Sequence, residues 1–166
     1  FRRVLFRSAW NAIGVAAAGA RLLGLDEERT RHALGIAEYH GPRSQMMRCI
    51  DYPTMVKDGS GWGAMCGVSS VYLAAAGFSG APAITLESEN ARCYWHDVGS
   101  KWQFLEQYIK PFPVCRWAQP AVQAIHDLMQ ITPLDHRLIE RIEISTFHQA
   151  VRLGGQHPQN TEEAQY

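Results

Sequence analysis

The sequence has no excess of either charge sign: sixteen Lys and Arg balance sixteen Asp and Glu. No global field draws the chain to nucleic acid or to an anionic membrane, so neither is an expected partner. It lacks an apolar run of the roughly 18 residues needed to cross a bilayer, and it lacks the apolar core and cleavage site of a signal peptide. A soluble, cytoplasmic protein is the expectation. No CxxC pair occurs among Cys49, Cys66, Cys93 and Cys115, which excludes a zinc knuckle or iron–sulfur signature and suits reduced thiols. His96, His126, His136 and His157 show no HxH or HExxH spacing. Internal repeats and low-complexity tracts are also missing. No metal or redox cofactor is expected.

What is present begins with Lys57, just ahead of Asp58-Gly59-Ser60-Gly61-Trp62-Gly63 and a nearly uncharged, small-residue stretch to Ala76. A glycine-rich turn feeding a helix presents unpaired N–H groups at the positive end of the helix dipole, and the neighbouring ammonium adds a full charge. Such a site suits a carboxylate or phosphate. It is not a P-loop, because no GK[ST] comes after it, nor a dinucleotide fingerprint, because no strand precedes it.

Around that run the first half reads as helical hairpins. Residues 9–23 form an apolar helix with Gly14, Ala18 and Gly19 allowing close approach, and Gly24 marks its end. Asp26 is the N-cap of a second helix reaching Tyr39. His40-Gly41-Pro42 breaks it, and the segment to Lys57 reads as an irregular loop. The next helix runs from Gly63 to about Ala76 and stops at Gly77. Phe1 to Ser8 carries three arginines, breaks sharply from the alanine-rich segment after it, and reads as a non-native or read-through scar.

Beyond Pro82 the texture changes. Pro111 and Pro113 exclude a helix and favour an extended edge segment over Lys110–Trp117. Pro120 suits the first turn of a helix to about Gln130. Leu138–Phe147 alternates Ile139, Ile142 and Ile144 with charged residues and reads as a strand. Gly154-Gly155 ends the segment after that strand, and Thr161-Glu162-Glu163 reads as a fresh helix start. Trp62, Trp95, Trp102 and Trp117 read as core and domain-contact packing. The expected division is a partial all-helical domain over 9–105 and a partial α+β lid over 106–166.

Three blocks, Ile36–Met47, Met55–Met65 and Lys110–Ala121, occur in an order that resembles the MmgE/PrpD family, and Thr146-Phe147-His148 and Thr161–Tyr166 extend the likeness. The resemblance implies a large helical domain and a smaller α+β lid with the active site between them, of which this chain would be a central fragment. The family includes 2-methylcitrate dehydratase, cis-aconitate decarboxylase and an iminodisuccinate epimerase. It thus implies a small polycarboxylate substrate and, for the full-length protein, a homodimer. Lys57 matches the lysine of the family's Met-x-Lys-x-x-His-x-Gly block, and Lys110 and Arg116 match the basic residues of its Lys-Pro-Tyr-Pro-Cys-Cys-Arg motif. Two departures matter: Ser60 and Gln119 stand where many members have histidine, and neither exchanges a proton near neutral pH.

Proton removal next to a carboxylate needs cations or N–H dipoles to hold the acid and a base on the correct face. Lys57, the Gly59-Ser60-Gly61 turn, Lys110 and Arg116 can supply the first. Lys57 is the candidate catalytic base, and His40 and Gln119 complete the expected substrate-binding set. The alternatives are an epimerase or isomerase of the same family, a non-catalytic carboxylate-binding homologue, or a fragment inactive by itself. The apolar girth of the Ala9–Leu23 and Ala64–Ala76 helices predicts poor stability and self-association of the chain alone.

Overall fold

The computed structural model describes residues 7–153 and 157–165. Phe1–Phe6 of the expected scar segment, Gly154-Gly155 and Tyr166 lie outside the described residues. Two compact units are defined. The first comprises Phe1–Cys49 and Val56–Glu106, the second Ile50–Met55 and Gln107–Tyr166.

In the first unit three helices carry the core: α1 (Arg7–Leu22), α2 (Glu27–His40) and α4 (Ser60–Ala75). Local chemistry sets their ends. Gly24 (φ 65°) closes α1, with Leu25 N–H donating to Ala20 O at 3.0 Å, and Gly77 (φ 91°) closes α4, with Phe78 N–H donating to Leu73 O at 2.9 Å. Both are left-handed C-terminal motifs that glycine adopts without a Cβ penalty. Asp26 caps α2 by accepting from the Arg29 N–H at 2.8 Å, as expected.

The core is built of methyl groups: Ala12, Ala16, Ala33, Ile36, Ala37, Val71 and Ala74 are buried, with Leu25, Leu34 and Cys66 packed against them. Each buried methyl contributes only about 0.8 kcal/mol, so the cluster depends on close backbone approach. Gly67 provides it. A Cβ there would stand 2.5 Å from Ala12 O on α1.

A crossing segment, residues 77–83, lies over α2 and leads to the short α5 (Ile84–Glu87). Gly80 sits against it so closely that a Cβ would stand 2.5 Å from His32 O. The Glu38 carboxylate accepts from the N–H groups of Ile84 (2.8 Å) and Thr85 (2.6 Å), capping α5, and also from the Thr85 hydroxyl. The opposite face of α4 is bare, with Trp62, Met65, Val68 and Tyr72 all exposed.

The segment expected to be an irregular loop contains a short helix, α3 (Met46–Asp51). Met46, Cys49 and Ile50 are its buried side, a spacing of three and four that only burial makes decisive. None of the four cysteines forms a disulfide among the described residues; Cys49 is buried and Cys93 exposed.

The second unit holds α6 (Gln119–Ile131) and α7 (His148–Val151). Pro120 lies in the first turn of α6, where its missing N–H goes unneeded. The expected strand over Leu138–Phe147 is not formed. A 3-10 turn covers His136–Leu138, and 139–147 carries no regular structure among the described residues. An alternating pattern becomes a strand only when a neighbour takes up its backbone groups, and Ile142 and Ile144 stay over half exposed here. The expected edge segment over Lys110–Trp117 is likewise a series of bends and turns.

Trp62 and Trp102 are largely exposed, so the core reading fails for both. Trp95 instead donates from Nε1 to Thr85 O at 2.9 Å, and Trp117 packs edge-on against Phe147 with ring centroids 5.5 Å apart. Thr161-Glu162-Glu163 leads into a 3-10 turn, with the Glu163 N–H donating to Asn160 Oδ1 at 3.0 Å.

Candidate functional site

In the first unit, Gly59 is the N-cap of α4 and has no side chain to offer, while its carbonyl accepts the Gly63 N–H at 2.7 Å. Helical geometry leaves the N–H groups of Ser60, Gly61 and Trp62 without intrahelical acceptors. Ser60 and Gly61 are exposed, and a Cβ built on Gly61 meets nothing within 4 Å, so the backbone there is open to a ligand. Lys57 is exposed and makes no hydrogen bond or ion pair among the described residues. Its charge remains available to an anion.

His40 is the last residue of α2 rather than a loop residue. It is exposed, and its ring meets that of Tyr39 edge-on at 5.1 Å. Arg43 folds back over this end: Nη1 donates to Tyr39 O and Gly41 O, both at 3.3 Å, and Nη2 to Glu38 O at 3.2 Å. A cation on the free carbonyls is the favourable partner for a helix C-terminus.

The second unit places Lys110, Arg116 and Gln119 along one loop leading into α6. Lys110 Nζ donates to Val114 O at 3.2 Å, and the Arg116 guanidinium lies 5.5 Å from the centre of the Tyr108 ring. Gln119 is 6% exposed and donates from Nε2 to Phe112 O (2.8 Å) and Val114 O (3.0 Å). Its Oε1 is buried without a hydrogen-bond partner among the described residues, which costs about 1–3 kcal/mol.

One cluster escaped the sequence reading. Glu27, Glu28, Arg31, His32, Gly80, Pro82 and Glu87 line an open cleft of about 380 Å³ in the first unit. His32 Nδ1 accepts the Gly80 N–H at 3.2 Å, and Nε2 lies 3.9 Å from Glu28. Arg31 pairs with Glu87. The hydrogen bond from Arg31, ahead of its charge, holds the Glu87 carboxyl below its ordinary range, while Glu87 raises the Arg31 guanidinium in turn. Only Glu27 and Glu28, one turn ahead of His32 on a helix with an N-cap, hinted at this grouping.

The sign of that shift fixes a pH dependence. A carboxyl lowered on folding contributes stability above its unfolded pKa, and the contribution is lost as pH falls through the lowered folded value. Glu87→Gln is therefore expected to be less stable than the unaltered chain at pH 7, with the difference closing in acid below the ordinary carboxylate range. Urea unfolding of both proteins at a series of pH values measures it, and a pH-independent difference would exclude the ion pair as its cause.

These observations define a two-unit, mainly helical protein with exposed cations at a helix start in the first unit and on a proline-rich loop in the second. The sequence matches the family models of the MmgE/PrpD N-terminal domain over residues 3–105 and the MmgE/PrpD C-terminal domain over residues 112–166. The chain belongs to the MmgE/PrpD family. No curated protein and no solved structure matches it. Among the described residues no group of three or more His, Cys, Asp or Glu could hold a metal ion, and no helix is long and apolar enough to cross a membrane.

Proposed function

We propose that the protein is a lyase acting on a small polycarboxylic acid, a 2-methylcitrate- or aconitate-like substrate, either dehydrating it by removing a proton next to a carboxylate or decarboxylating it and returning a proton to the carbon that loses carbon dioxide. The observation that carries this reading is the open start of α4. Lys57, free of any described partner, precedes exposed N–H groups at Ser60 and Gly61, in a chain matched by both family domains. In the dehydration form, Lys57 in its neutral amine form takes the proton from carbon, the resulting electron pair forms the double bond, and the carbon–oxygen bond breaks as the departing hydroxide takes that proton back from the Lys57 ammonium and leaves as water. Backbone N–H groups of the Gly59-Ser60-Gly61 turn take developing enolate charge. Lys110 and Arg116 hold carboxylates, and His40 and Ser60 add further substrate contacts.

Ser60 and Gln119 favour a second reading, a homologue that binds carboxylates without turning them over, because neither side chain titrates near neutral pH. An epimerase of the same family needs the same proton removal and only a different fate for the carbanion. Citrate titration by calorimetry, then assays for loss of water or carbon dioxide, separates these. Binding with turnover supports the lyase. Binding without either loss favours the non-catalytic or epimerase reading, which chiral analysis of a dicarboxylate then divides. No binding to the chain or to a longer natural form containing it overturns the proposal.

A further inference from the structure

We propose that Gln119 is a positioning residue whose side-chain amide sets the conformation of the Lys110–Val114 loop, and through it the place of the Lys110 ammonium. The inference rests on the reading of Lys110 as a carboxylate-holding group. Pro111 and Pro113 have no N–H, so the loop is short of two backbone donors and side-chain donors take a larger share in closing it. Gln119 Nε2 has two hydrogens and faces two carbonyls, Phe112 O at 2.8 Å and Val114 O at 3.0 Å. Val114 O also accepts from Lys110 Nζ at 3.2 Å, so amide and ammonium share one oxygen with two lone pairs. With Gln119 only 6% exposed, solvent does not stand in readily for a lost donor.

Only an amide fits this place well. Methionine of similar length has no donor, ionised glutamate turns lone pairs toward two carbonyl oxygens, and imidazole points its N–H groups along one fixed plane. Where the resemblance sets a histidine, this chain has a residue that cannot carry a proton but can fasten the cationic loop. Gln119 thus acts through Lys110 rather than on the substrate itself.

The test uses the 166-residue chain, whose only lysines are Lys57, Lys101 and Lys110. Acylation by an activated ester, read residue by residue by mass spectrometry, reports how firmly each ammonium is held, with Lys57 and Lys101 as internal references. Gln119→Met is expected to raise the Lys110 rate about fivefold relative to both, the scale of one neutral hydrogen bond. An unchanged ratio, or three rates rising together as general loosening would give, overturns the proposal. If Gln119→Met does not fold, hydrogen exchange in the unaltered protein decides. Both Gln119 side-chain protons should exchange more slowly than those of exposed Gln130, and equal rates overturn it. In a citrate arm, Gln119→Met and Lys110→Ala should weaken binding by similar factors, with the double variant no weaker than Lys110→Ala alone. Failure of the unaltered chain to bind citrate counts against the carboxylate reading, while the acylation ratio still decides the positioning role.

Discussion

Lys57→Ala is expected to lower turnover of the polycarboxylate substrate by about 10²–10⁴-fold, the range lost when a positioned general base is removed. Lys57→Arg then separates two roles. A guanidinium keeps the charge and the donors but does not give up its proton in a protein, so it can hold a carboxylate and cannot act as a base. Loss of turnover in both variants, with citrate affinity kept in Lys57→Arg, identifies Lys57 as the base. Turnover retained in Lys57→Arg assigns the residue to electrostatic holding and moves proton removal elsewhere. Steady-state kinetics on the two variants, with binding measured separately, is sufficient.

Gly35→Ala should be the most damaging single change to the first unit. A Cβ at this buried α2 position collides with the carbonyl oxygen of Ala81 and stands 2.8 Å from its carbon, with backbone rather than a flexible side chain on the other side. Alanine improves intrinsic helix propensity by about 1 kcal/mol. The collision outweighs it, because the crossing segment cannot lift without straining the His32–Gly80 bond, the Glu38 cap on α5 and the Arg31–Glu87 pair. A net loss of about 2 kcal/mol or more is expected, which for a chain of this size lowers the melting temperature by roughly 4–8 °C. Circular dichroism on heating measures it. A raised melting point would show that the crossing segment does not rest on α2.

The features legible in the sequence are those whose cause lies within a few residues. Gly24, Asp26, Gly77 and Pro120 each act on their own turn, and the helix ends fall where they place them. The glycine-rich start of α4 is readable for the same reason. The failures share the opposite property. A strand over Leu138–Phe147 depends on a neighbouring segment to take up its hydrogen bonds, and α3 is marked by the burial of Met46, Cys49 and Ile50, which their own short stretch of sequence does not announce. The Asp51–Arg152 pair joins the end of α3 to the residue after α7, and no local pattern announces it. The candidate site divides similarly. Lys57 and Lys110 are marked by their surroundings, whereas Gln119 is marked only as a departure from a histidine, and its bonds to Phe112 and Val114 emerge when the proline loop folds back.

The methyl-built core has a thermal consequence. Alanine surrenders no rotamer freedom when it is buried, so the α1–α2–α4 seam is ordered at little side-chain entropy cost. Small buried side chains also conceal little apolar surface, and the aromatic and aliphatic groups on the bare side of α4 are wet before unfolding as well as after it. Heat capacity on unfolding tracks newly wetted apolar area, so this unit should fall below the roughly 12–15 cal/mol/K per residue usual for a globular domain. Its stability then bends only gently with temperature, and cooling weakens it less than it weakens a protein with a core of leucine and phenylalanine.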